Sequence, residues 1–522
     1  MNPSTHPLHR IPPQTKRVAL SRISRLAKAA LVVVGTLAGL PSVQAQDDAF
    51  DPGLQHTENP PMVINTRQPP PLPVPTEDFE VRKGYRIITS LDEFREVTKK
   101  SNQKIRMKPG VYRATKADPP VTFPLESSRL SKAKDVKQSY QEHIFAVNGS
   151  NNYFDLRGVV IETPVSVQSK LTGRVHVSDS WHINGSGNVF IGGYFRNVLD
   201  MPYPTYRVTG NEFEIRGDRN RFFDCVFVIK GSVPYGYTDF YGKGSGSFGR
   251  LNKHCFMSID HANGTELIRC QVYQQSFGHC VHFHTVDGAL IQDCMFTGTL
   301  RPTDDIFDEV VGRAIEHDFH MLYRKKQPIP RGEVIPLTED GIRSYEDVKN
   351  IKVVNTTVER MRGAIQLLCT GDVTLENVTV LESGDFSFDV SATSGSRIVM
   401  KDCKGDVAYN PLFNLTRGDL PEGATYEVTL LSPPEGSRST PRSSLGKICG
   451  RKCTFIIKDG TTRPLAEDTN YLNCGGDKEL TDSTIDNQSS AKLILHKNVR
   501  NCTIRSKGPV EDNGSGNRVM QR

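Results

Sequence analysis

Three histidines, His279, His282 and His284, fall within six positions of the stretch SFGHCVHFH (276–284), beside a cysteine. Downstream, RPTDDIFDE (301–309) joins Arg301 to the adjacent acids Asp304 and Asp305, and upstream NKH supplies Lys253 and His254. Imidazoles and amines move protons. Guanidinium groups neutralise carboxylates. Paired carboxylates serve as acid and base on a glycosidic bond, or hold a calcium ion. Bland uses compete: His282 and His284 alternate as surface residues of a strand do, and Asp304–Asp305 suits a turn or a helix cap. A metal site of His279, His282 and His284 would need carboxylate or thiolate partners, and no metal ligands are assigned.

Such residues act together only if the chain positions them together, and repetition is the device that does so. The runs RFFDCVF, LIRCQV, LIQDCMF, VVNTTV, LENVTV and IVMKDCK align on Cys225, Cys270, Cys294, Thr356, Val378 and Cys403. The gaps are 45, 24, 62, 22 and 25. Three of them are one period, the first reads as two periods, and the fourth as one period plus an insertion of roughly 38 residues in a stacked repeat. Each unit holds short β-rich runs parted by Gly, Asn and Asp, without a helical period. The expected class is therefore all-β, a solenoid.

This pattern resembles the right-handed parallel β-helix of the pectate-lyase-like superfamily, over roughly residues 85–510. SLDEFREVTKK, with Ser90 as cap and Glu93 at the capping-box position, precedes IRMKPGVYRA and is similar to the helix that closes the open end of such a stack. The blocks YGYTDFYGKG, NKH, FGH, RPTDD and TEDGIR resemble those of a group of secreted bacterial β-helix proteins. The expected organisation is a signal peptide at 1–45, a proline-rich extended linker at 46–82, the solenoid at 83–510 with an insertion at about 302–348, and a tail at 511–522.

In a solenoid, a residue one period on lies about 4.8 Å away on the next rung. His254 to His279 and His279 to Asp304 are both 25 residues. Lys253, His254, His279, Asp304 and Asp305 should form one column, with Arg301 beside it. The insertion should return Glu339, Asp340 and Arg343 to the same cleft, and Tyr235, Tyr237 and Lys243 suit the binding of sugar rings and their carboxylates.

The 522 residues carry a net charge of +6, too little to indicate a nucleic-acid binder, with 37% hydrophobic residues and a single tryptophan. A basic segment, the apolar run AALVVVGTLAGL and a small-residue exit ending at Ala45 meet the requirements of a secretory signal. Twelve apolar residues are short of the roughly 20 that span a bilayer. A secreted or periplasmic monomer without a stable membrane span is expected. Eleven cysteines in an exported chain suggest bridges, with Cys449–Cys453 and Cys474–Cys502 as candidates.

The resemblance implies a polysaccharide substrate, and the density of Lys, Arg and His favours an anionic one. The polygalacturonase-like members place Asp-Asp before Gly-His-Gly and then Arg-Ile-Lys; here Gly278-His279 comes first and the last motif is missing. The preferred expectation is a lyase acting by β-elimination on a uronic-acid glycan. Lys253, His254 or His279 would be the base and Arg301 or Arg343 the neutraliser, and Asp304 with Asp305 would hold calcium if a cofactor is used. A glycoside hydrolase pairing Asp304 or Asp305 with Glu309, Glu339 or Asp340 is the alternative, followed by an epimerase and a non-catalytic glycan-binding solenoid.

Overall fold

The structure, a computed structural model, describes residues 67–74, 83–124, 138–171, 179–201, 210–232, 235–238, 252–310, 313–316, 331–409, 411–435, 444–467 and 469–522. The signal peptide and Lys243 lie outside them. The chain forms two units, Met1–Ala49, outside the described residues, and Phe50–Arg522. The described residues of the second unit form a parallel β-helix, in which short strands pair in parallel with those of the rungs before and after.

Corner geometry explains the repeat. Asp224, Arg269, Asp293, Asn355, Asn377 and Asp402 all sit at φ between 49° and 55°, the left-handed region that Asn and Asp tolerate best. The next residue turns inward: Cys225, Cys270, Cys294, Thr356, Val378 and Cys403 are all buried. The following strands then pair as Val226–Gln271–Met295–Thr357–Thr379–Lys404, so the repeated positions are true rung equivalents. One reading of the spacing needs correction. The 45-residue gap is a single rung, because Val226 pairs directly with Gln271.

Inside the stack, like side chains meet at rung spacing. Phe154, Phe190 and Phe222 stack with centroids 4.8 Å apart, and the Oδ1 atoms of Asn152, Asn188 and Asn220 each accept a backbone N–H from the adjacent rung. The helix Leu91–Thr98 buries Phe94 against Phe145, Phe154 and Trp181 near the N-terminal end of the stack. Ser90 Oγ accepts the Glu93 N–H, while the Glu93 carboxylate reaches back to Thr89.

Three boundaries shift. The excursion after residue 298 rejoins the stack at Glu339, whose N–H donates to the Gly278 carbonyl, with Ile342 then pairing with Val281, rather than near residue 348. Residues 511–522 are not a tail: Arg518–Gln521 pair with Thr503–Ser506 as a further rung, and Asn517 Oδ1 accepts the Cys502 N–H. Within the expected linker, residues 67–74 dock on the stack. Leu72 packs against Val160, Tyr194, Val228 and Tyr273, Pro70 O accepts the Tyr194 hydroxyl, and Arg67 pairs with Glu359 at 2.9 Å.

The expected bridges are absent, since Cys449, Cys453, Cys474 and Cys502 are free thiols, and all eleven cysteines are buried. Cys453 and Cys502 fill inward corners, following Lys452 and Asn501 at φ 52° and 55°, and serve as small apolar groups there. Burial pushes the Cys369, Cys403 and Cys449 thiols up to about 12. A soluble thiol reagent is therefore expected to label none of the eleven in the native protein and all of them after denaturation. Rapid labelling of the native chain would contradict this packing.

One buried acid makes folding pH-dependent. Asp406 accepts N–H groups from Glu382 and Ala408, yet burial outweighs them and raises its carboxyl from 3.8 to about 7. The folded state then holds a proton that the unfolded chain has lost. This contribution to stability is full below 3.8 and fades as pH rises through 7. The denaturation midpoint of Asp406→Asn should fall less than that of the unmodified chain between pH 4 and 8; parallel profiles would exclude the effect.

Candidate functional site

The site is built on one face of the stack, where His254–Asp260, Val281–Gln292, Ile342–Val354 and Gly363–Cys369 run side by side. Alternation along the strands sends Met257, Val281, Phe283, Ile342 and Ile365 into the core. The residues between them face away from it. In register these form a row of His182, Glu214, Ser258, His282, Arg343, Gln366 and Asp389. Beside it runs Asp260, His284 and Tyr345. His284 and Tyr345 stack nearly parallel, 4.7 Å apart.

His279 lies at the edge of this face. Cys280 and Val281 donate to the carbonyls of Asp340 and Gly341, so the rung beside His279 carries Glu339 and Asp340. Its Nε2 is 2.8 Å from the Tyr345 hydroxyl and 3.4 Å from Glu339 Oε2. Its Nδ1 lies 3.5 Å from the Asp340 carboxylate and 3.3 Å from the Asp340 N–H. The first contact suits a protonated Nδ1 and the second an unprotonated one. Gly278 permits this approach, since a Cβ there would sit 2.4 Å from the His254 carbonyl oxygen.

Cations surround the two acids. Lys253 Nζ meets Glu339 at 2.6 Å, Arg362 reaches Glu339 at 3.4 Å and Asp340 at 3.3 Å, and Arg343 pairs with Asp340 and lies over the Tyr345 ring. Lys253 and Arg343 remain 34% and 21% exposed, while Glu339 and Asp340 are sealed. The charged groups that can meet a ligand are thus the cations. Burial lowers His279 to about 4 despite the opposing pull of Glu339 and Asp340. Burial pushes Asp340 up, but Arg362, His279 and Arg343 outweigh it and hold the carboxyl at about 2. Burial raises the Tyr345 phenol, with Arg343 opposing. At neutral pH the site holds a neutral imidazole, an ionised Asp340 and an undissociated phenol.

The expected column is therefore joined in part. Lys253, His279, Glu339, Asp340 and Arg343 come together. Asp304 and Asp305 open a five-residue helix, Thr303–Phe307, inside the insertion. Asp304 there accepts the Gly332 N–H and lies 3.7 Å from Arg331. The 25-residue step fails because the chain leaves the stack after residue 298, so that Leu300–Pro302 pairs antiparallel with Val334–Pro336. Arg301 is fully buried. It bonds Glu309 at 2.5 Å and the Gly236 carbonyl at 2.9 Å, and Glu309 also accepts the Tyr237 hydroxyl. This cluster ties the 235–238 segment to the insertion. Tyr235 and Tyr237, at 3% and 1% exposure, offer no ring face to a sugar. His254 is sealed as well, with Nε2 3.2 Å from Glu212, whose Oε2 also accepts from Gln168 and Asn197.

Sequence reasoning missed Tyr345, Arg362 and the row holding Glu214. The signal was present: carrying the rung-to-rung step across the insertion places Asp340 beside His279 and Tyr345 beside His284.

Among the described residues no helix is long and apolar enough to cross a membrane. No family model matches the sequence, and a search of curated proteins finds no significant match. Solved structures with related backbones include a PL6 alginate lyase complexed with a trisaccharide, at 11% identity and TM-score 0.44 over 83% of this chain and 87% of that one. The PfbA adhesin of Streptococcus pneumoniae matches at 11% identity and TM-score 0.34, over 82% and 92%. The tailspike of E. coli bacteriophage HK620, complexed with a pentasaccharide, matches at 9% and 0.35, over 82% and 73%.

Proposed function

We propose that the protein is a carbohydrate-active enzyme that cleaves a uronic-acid glycan by β-elimination. The observation that carries this reading is the Tyr345 hydroxyl 2.8 Å from His279 Nε2, with Arg343 over the same ring. With its proton on Nδ1, facing the ionised Asp340, His279 presents Nε2 as an acceptor for the tyrosine proton. Arg343 takes the substrate carboxylate and lowers the acidity barrier at C5. Tyr345 oxygen abstracts the C5 proton as its own passes to His279. Electrons move into the C4–C5 double bond, the glycosidic C4–O bond breaks, and Lys253 protonates the departing oxygen. The imidazolium formed is stabilised by Glu339 and Asp340.

The test is a panel of uronic-acid and neutral polysaccharides incubated with the purified full chain, monitored by ultraviolet absorbance of the new conjugated double bond. Absorbance growing only on uronic-acid glycans supports the reading. Reducing ends without absorbance would replace it with hydrolysis. One observation favours that second reading: Glu214, raised to about 8 by burial and then by Asp179, shares Arg216 with Asp260. An acid held in its protonated form is one of the two carboxyl groups a glycosidase requires.

A further inference from the structure

A second cluster lies at the N-terminal end of the same outward row, and the lyase chemistry makes no use of it. His143, Asp179 and His182 are at most 3% exposed, and one ligand atom from each falls within 4.8 Å of the others. Rung pairing creates the group. Phe145 pairs with Trp181 and Ala146 with His182, which sets His143 beside Asp179 and stacks the two imidazoles 4.2 Å apart with planes 23° from parallel, so one ring turns when both nitrogens face a shared ion.

We infer that His143, Asp179 and His182 bind one divalent transition-metal ion of the zinc class. The orientation of His143 is the first support. Its Nδ1 faces the Asp179 carbonyl at 3.2 Å, so Nδ1 donates there and Nε2 keeps its lone pair. A histidine ligand is typically fixed in this way by a backbone carbonyl. Among the described residues that buried Nε2 has no hydrogen-bond partner, a cost that a metal bond removes. Asp179 is also aimed: its Oδ1 accepts both the backbone and side-chain N–H groups of Asn211, at 3.1 and 3.0 Å. Two imidazoles and a carboxylate suit zinc-class ions, whereas calcium and magnesium prefer all-oxygen shells. Asn211 Oδ1 also faces His282 Nε2 at 3.0 Å, so the ion would brace the row that leads to Tyr345.

The experiment uses the tag-free full chain, equilibrated with Zn2+ or Co2+ and desalted. The expected result is one metal per chain by elemental analysis, with cobalt ligand-field bands that Zn2+ removes. Asp179→Asn and His182→Gln should each weaken binding by at least ~100-fold, the upper end of what disturbed metal shells cost, while His496→Ala binds normally. X-ray absorption of the unmodified zinc-loaded chain, which needs no variant to fold, should show nitrogen and oxygen neighbours only. Failure to retain either metal would overturn the assignment, as would a sulfur-containing shell or unchanged binding in both variants. Metal content is read without turnover, so this outcome is independent of the lyase assignment.

Discussion

Tyr345→Phe is expected to lower kcat on a uronic-acid glycan by roughly 10²–10⁴-fold, the range for removing a general base, while KM changes little. The phenyl ring keeps its stacking on His284 and its place under Arg343, so only the hydroxyl is lost. A fall in kcat at constant KM marks an interaction made in the transition state. His279→Ala should match it, because the two residues form one proton-transfer unit across 2.8 Å. The double variant should be little worse than either single one. Asp304→Asn should stay close to unmodified turnover, since that carboxylate is engaged by Gly332. Undiminished kcat in Tyr345→Phe would remove the phenol from the mechanism.

Arg301→Met should loosen the insertion by about 3–5 kcal/mol, the cost of leaving a buried partner charge uncompensated. Glu309 is 1% exposed and, among the described residues, would retain only Tyr237 and the Ala314 N–H. Proteolysis within residues 303–336 should accelerate, while the rungs of the stack stay protected, because Leu300–Pro302 and Val334–Pro336 pair with each other in a sheet separate from that of the coil. The double variant Arg301→Met with Glu309→Leu should recover most of the loss, since an apolar pair of similar volume replaces a buried ion pair at little cost. Equal cleavage rates in Arg301→Met and the unmodified chain would show that the pair holds nothing closed.

The architecture was legible because its cause is local. A left-handed corner at Asp224, Asp293, Asn355 or Asp402 is visible as a residue type, and so is the small residue that follows it. Lys253 and His279 were also legible by counting rungs, and Glu339, Asp340 and Arg343 because an insertion in a coil returns to the face it leaves. Arg301 and Asp304 were misplaced because counting assumes the chain stays in the stack, and here it leaves after residue 298. Tyr235 and Tyr237 looked like sugar-stacking rings by composition, but aromatic content cannot report that Glu309 takes the Tyr237 hydroxyl. The His143, Asp179 and His182 group was invisible for a related reason. Its 36-residue rung, from His143 to Asp179, is longer than the 22–25 residue period that guided the alignment.

Among the described residues the strand Arg518–Gln521 pairs with Thr503–Ser506, and its Val519 is 41% exposed. In a linear array each coil is held chiefly by its two neighbours, so disorder starting at one rung has to progress one turn at a time. Tyr345 and His279 stand many turns inward. Removing the Arg518–Gln521 rung should therefore lower heat resistance by a small step and leave catalysis in place.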